Sequence, residues 1–146
     1  MASNLKYNYT LRAVQQTAIN TTLSTSAILE IYSGTQPTDP DTADSVTLLA
    51  TLTCSATFGT VSGSAHNPAI NTAGTITSGT GTAGAGGGTA ATHFRLKLPA
   101  NAGAAGLAII DGTVGISGCD LNLNNTSIAT GQTVSCTSCV FTNGNQ

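Results

Sequence analysis

Tryptophan is absent, aromatic residues make up 4% of the 146-residue chain, and charged residues make up 7%, against roughly 25% in ordinary soluble domains. Each shortage excludes something. Four Lys and Arg against six Asp and Glu cannot build the basic stripe of a nucleic-acid binder. Glu, Lys, Arg and Leu are too scarce for the heptads of a coiled coil. No stretch approaches the ~20 apolar residues of a membrane helix, since the longest apolar run, Ala104–Ile110, is broken by Gly106. Three Tyr and three Phe leave little for the ring stacking of a sugar-binding module.

What is abundant is small and polar: 26 Thr, 20 Ala, 17 Gly and 13 Ser exceed half the chain. The aliphatic share lies near the compositional edge of disorder. A net charge of only −2 and plentiful Thr, Val and Ile nevertheless point to a folded domain with a small core. The length fits one domain, 1–146, with residues 1–9 as an N-terminal arm and 79–88 as a Gly-rich loop. A nearly neutral surface gives little repulsion between copies and suits a protein packed into an assembly. Met1–Thr10 holds one Lys and no apolar core of a signal peptide, so folding in a reducing cytosol with free thiols is expected.

One helix is expected over 10–24, where Leu11, Val14, Ala18 and Ile19 recur at helical spacing and Thr10 offers a cap. From residue 27 the period becomes two. Ile28–Tyr32 reads as a strand before the Ser33-Gly34 turn signal. Val46–Cys54 alternates, Ala69–Thr77 is a weaker strand, and Gln132–Phe141 closes the domain. In His93-Phe94-Arg95-Leu96-Lys97-Leu98 the alternation predicts Phe94, Leu96 and Leu98 inside, with His93, Arg95 and Lys97 outside. Leu107–Ile110 and Thr113–Gly115 flank Asp111-Gly112, a strong hairpin dipeptide, and Cys119–Asn124 alternates again. Seven to eight short strands with no βα alternation predict an all-β sandwich or jelly roll with one short N-terminal helix.

Candidate chemistry is thin. Cys136-Thr-Ser-Cys139 is a C-x-x-C, but it lies in a strand composition without the helix start or further ligands of a redox or zinc motif. Positions three apart in a strand face opposite ways, so Cys136 is expected beside Val134 and Val140, and Cys139 beside Phe141, all four cysteines including Cys54 and Cys119 being inert thiols. Gly79-Thr-Gly81-Thr-Ala-Gly84 matches a dinucleotide fingerprint only in letters, since no helix follows. Asp39, Asp41 and Asp44 lack the Gly and Glu of a calcium loop and read as solvated acids capping turns. His66 and His93 have no partners at ligand spacing, no nucleophile elbow is present, and Glu30, Asp111 and Asp120 are scattered. No catalytic, cofactor-binding or metal-ligating residue is expected.

Leu29-Glu30-Ile31-Tyr32-Ser33-Gly34-Thr35-Gln36-Pro37, followed by Asp41-Thr42-Ala43, resembles the opening of a family of small tailed-bacteriophage virion proteins. Asp111–Asn124, with Ile128, Gly131 and the closing strand to Phe141, resembles that family's C-terminal half. The resemblance covers most of 11–142 except 55–88, with Cys119 where an Ala is expected. It implies a head decoration, or cement, protein: a non-enzymatic β-rich oligomer, most often a trimer, bound to the major capsid protein on the outer capsid surface after folding in the host cytoplasm, with no nucleic-acid or membrane partner. A tail or fibre component is the alternative within the virion. A host- or carbohydrate-binding β-sandwich module is the alternative outside that class.

Overall fold

The structure is a computed structural model that describes residues 6–143. Five residues of the expected arm, 1–5, and residues 144–146 lie outside the described residues. The chain is all-β with one helix, α1 (Tyr9–Leu23). The strands follow as β1 (Ile28–Tyr32), β2 (Leu48–Cys54), β3 (Gly59–Ser62), β4 (Ala69–Ala73), β5 (Ile76–Thr77), β6 (Gly79–Thr80), β7 (Thr89–Ala90), β8 (His93–Lys97), β9 (Ile110–Gly115), β10 (Leu121–Leu123), β11 (Ser127–Ile128), β12 (Thr133–Val134) and β13 (Cys136–Asn143). Eight of them run three residues or longer, which is the expected number, and the other five are two-residue pairings.

Nine strands form one curled sheet in the order β3-β4-β13-β10-β9-β8-β1-β2-β5. Neighbours are antiparallel except β9 and β10, which run parallel. Two small ribbons, β7–β11 and β6–β12, complete the sandwich. Leu29 and Ile31 of β1, Phe94 and Leu96 of β8, and Leu121 and Leu123 of β10 form the core with Leu49, Leu52 and Phe58. Phe141 stacks on both Phe58 and Phe94, with ring centroids 5.9 and 6.2 Å away.

Four expectations differ from the structure. The Asp111-Gly112 dipeptide is not a hairpin: β9 runs straight through it and pairs with β8 from Ile110 to Thr113. Gly112 is needed there because a Cβ would lie 2.5 Å from Phe94 Cε1, so the glycine makes room for a ring rather than for a turn. Helix α1 is real, and Asn8 rather than Thr10 caps it by accepting from Leu11 N at 2.9 Å, but of its apolar stripe only Ile19 packs against the core, while Leu11, Val14 and Ala18 face outward. Leu11 is 44% and Val14 58% exposed, while Arg12, Gln16 and Leu23 face β3 and β4. The sheet surface beneath explains the inversion. It presents buried Asn71, whose Nδ2 donates to Gln16 O and Asn20 Oδ1, and Asn20 Nδ2 donates to Gly59 O at 2.9 Å.

The third correction concerns the C-x-x-C. Leu121 pairs with Cys139 and Leu123 with Cys136, with a register shift between. The extra residue is a β-bulge, which resets the alternation. Cys136 and Cys139 therefore share the core-facing side of β13 instead of pointing apart. The Gly-rich segment, read as a loop, packs against the body over residues 79–85, with Ala85 buried, while Gly86 and Gly87 face open space. Gly79 passes over the Thr51 carbonyl too closely for any Cβ, and Gly81 bridges to Ala50.

Candidate functional site

The largest departure from sequence expectation lies on β8. His93, Arg95 and Lys97 do share one face, as the alternation predicts, but all three are fully buried. Tyr32 and Glu30 of β1 stand opposite His93 and Arg95 in register, and Asp111 of β9 stands opposite Arg95 from the other side. Two loops then close over this face. From residues 33–47, Asp44 Oδ2 accepts from Arg95 Nη1 at 2.8 Å and Pro40 O from Nη2 at 2.7 Å. From residues 98–109, Ala104 O accepts from Lys97 Nζ at 2.6 Å, and Gly103 N donates to Glu30 Oε1 at 2.6 Å. Ala108 N donates to Pro40 O at 3.2 Å, which ties the two loops to each other.

The result is a buried ionic ladder. Arg95 Nε reaches Asp111 Oδ1 at 2.9 Å, Lys97 Nζ reaches Glu30 Oε2 at 2.7 Å, and His93 Nε2 lies 3.4 Å from Asp44 Oδ1. Burial works against the Arg95 charge, but hydrogen bonds and charge from Asp111 and Asp44 outweigh it and hold the guanidinium above its ordinary value. Tyr32 stacks on His93 at 5.5 Å and donates to Glu30 Oε2 at 2.6 Å. Burial, then Glu30, pushes its phenol far above the usual range. Such an array is costly to desolvate and works only when every member is paired. Asp111 Oδ2 is the one ladder oxygen that is buried without a partner among the described residues. The ladder offers no open face to a substrate. Its chemistry is that of a clamp holding two long loops on the sheet.

The acids thus divide. Asp39 behaves as expected, capping its turn by accepting from Thr42 N and Oγ1 at 2.9 and 3.0 Å and from Asp41 N at 3.0 Å. Those bonds, Thr42's above all, lower its pKa. Asp120 similarly accepts from Thr113 N and Oγ1. Asp44, expected to be solvated, and Asp111, expected in a turn, are ladder members, as is Glu30. Sequence reasoning missed them because their partners lie 51, 16 and 67 residues away in the chain. One signal was available: in a chain with so few charges, two basic residues alternating inside a strand are expensive unless paired.

The thiols of Cys54, Cys136 and Cys139 gather on the core side where β2, β5 and β13 approach, and Cys136 and Cys139 border a surface cavity with residues 72–76. Burial pushes Cys54 up to about 12, with Cys136 adding to it, and pushes Cys136 up to about 11. Thiols so protonated are poor nucleophiles, and among the described residues no group of three or more His, Cys, Asp or Glu is placed to hold a metal. Gly79 lies on β6, Gly81 in a single bridge to Ala50 and Gly84 in a three-residue 3₁₀ turn, without the helix a pyrophosphate would need. His66 is exposed in the turn between β3 and β4, beside the start of α1. Comparison with family models, with curated proteins and with solved structures finds no match.

Proposed function

We propose that this chain is a structural virion protein that decorates and stabilises the outer surface of an assembled tailed-phage capsid. The observation that carries the reading is the placement of the two segments behind the resemblance. Leu29–Pro37 contains most of β1, and Asp111–Asn124 contains most of β9 and all of β10. In the sheet they flank β8 as one continuous stretch, β10-β9-β8-β1, joined through Lys97–Glu30 and Arg95–Asp111. Segments far apart in sequence thus make a single structural unit.

The ladder also supports the reading through what it removes from the surface. Of ten formal charges, Glu30, Asp44, Asp111, Arg95 and Lys97 are withdrawn into it. Five remain, one of them the nearly buried Arg12, so the outside is still more neutral than composition alone implies. A polar, uncharged surface repeated many times binds by avidity rather than by one strong contact. In this role the protein is no enzyme and needs no cofactor. It associates with itself, most simply as a trimer, and with the major capsid protein at the capsid surface. It prefers expanded capsids to precursor shells, because its footprint forms only after the shell subunits rearrange. Quantitative mass spectrometry and imaging of purified virions test this. Many copies per particle with density on the head are expected. A few copies, with density on the tail, would reject decoration in favour of a tail component.

A further inference from the structure

The chain has four Lys and Arg and two His. Three of these six, His93, Arg95 and Lys97, are consumed by the ladder. The other three, Lys6, Arg12 and His66, all line one cavity of about 330 Å³ at the start of α1, together with Tyr7 and Tyr9. No acid lines it. Every Lys, Arg and His side chain outside the ladder therefore converges on a single concavity of an acidic protein.

Arg12 makes this more than a basic patch. Arg12 is only 3% exposed, and among the described residues its guanidinium makes one hydrogen bond, from Nε to Asn8 O at 3.4 Å. Among the described residues no carboxylate lies within ion-pair distance of it, whereas Arg95 has two. A guanidinium stays charged at any working pH, and a buried charge without a counter-charge is costly. The first turn of α1 adds backbone N–H groups and the positive end of the helix dipole on the same side. His66 holds a left-handed backbone, φ +72°, at the cavity's edge.

We infer that this cavity is a binding site for a small oxyanion, a carboxylate or phosphate group held by Arg12 with Lys6 and His66 around it. Arg12 supplies the planar fork that matches two oxygens of such a group, and Lys6 supplies a mobile charge at the mouth. The cavity is at the lower end of small-ligand pockets in size, so the group arrives on a small body or on the end of a side chain. The site does not depend on the decoration reading.

The test uses the full chain and two probes, inorganic phosphate and a short peptide with one aspartate, each titrated calorimetrically against potassium chloride at matched ionic strength. Saturable one-to-one binding of either probe is expected, and chloride should not reproduce it. Binding of phosphate marks a free anion as the natural source. Saturation by the peptide alone marks a side-chain carboxylate. Arg12→Gln should weaken binding at least tenfold. Lys6→Gln, at an exposed position where folding is not at stake, should weaken it a few-fold. A heat signal that chloride reproduces, no saturation with either probe, or unchanged affinity in both variants would overturn the assignment.

Discussion

The two buried arginines of this chain have opposite surroundings. Arg95 is fully buried between Asp111 and Asp44, with a carbonyl on its remaining nitrogen. Arg12 is nearly as buried and has no counter-charge among the described residues. The residue type and the burial are alike, so the difference lies in what each burial accomplishes. Around Arg95 the fold supplies the anions itself and thereby fixes two loops. Around Arg12 the fold leaves the anion to be supplied. A paired charge in the interior is a structural element, and an unpaired one beside a cavity is an open valence.

Removing one side of the closed arrangement should have the largest effect. Glu30→Ala leaves Lys97 buried without its carboxylate partner and should lower unfolding free energy by about 3–5 kcal/mol, read by chemical denaturation, while Asp111→Ala leaves Arg95 with Asp44 alone and should cost less. Arg12→Met, which removes a charge that no carboxylate among the described residues balances, should change stability by less than about 1 kcal/mol or raise it. Equal losses at the two sites would erase the contrast.

A smaller effect is expected at Gly112. Gly112→Ala would drive a Cβ into the Phe94 ring and should cost about 1–3 kcal/mol by overpacking, whereas a turn glycine would not depend on Phe94. Denaturation of the single variant, and of the same change on a Phe94→Leu background, distinguishes the two. The cost should shrink when the ring is gone.

Alkaline pH should destabilise the protein through its buried thiols. Cys54 ionises near 12 when folded and near its ordinary value when unfolded. The folded chain therefore keeps a proton that the unfolded chain releases. The associated stability is complete below about pH 9 and is lost as pH rises from there towards 12, with a slope of at most about 1.4 kcal/mol per pH unit. Tyr32, also raised, adds to the loss above about pH 10. Denaturation midpoints should fall between pH 9 and 11, and Cys54→Ala should flatten the decline. The smallest change belongs to the outward stripe of α1: Val14→Ser should move stability by no more than about 0.5 kcal/mol, in contrast to a core position such as Leu29.

Much of the fold was legible because period-two alternation is a local signal. Ile28–Tyr32 is β1 to the residue, and β8 has the expected pairing of faces. Whether the second face is wet or dry is not a local property. It depends on loops 33–47 and 98–109 folding back, and on carboxylates contributed from elsewhere in the chain. The same limit hid the bulge in β13, which depends on β10 as a partner, and the inverted helix, whose burial follows the polar sheet surface beneath it. The dipeptide Asp111-Gly112 misled because both residues have strong turn preferences. Here each answers a tertiary demand instead, a carboxylate for Arg95 and a vacant Cβ position for Phe94. The cavity at α1 was invisible for a related reason: Lys6, Arg12 and His66 are unremarkable singly, and only the fold brings them together.

The most direct measurement follows the two arginines in one sample. Side-chain Nε–Hε signals of Arg12 and Arg95 are recorded by nuclear magnetic resonance while phosphate is added at constant ionic strength. Arg12 should shift along a saturating curve, while Arg95 should stay still and exchange its Hε slowly, as a proton held by Asp111 must. An Arg12 signal that never saturates, or an Arg95 signal that moves with it and exchanges as fast, would contradict the account.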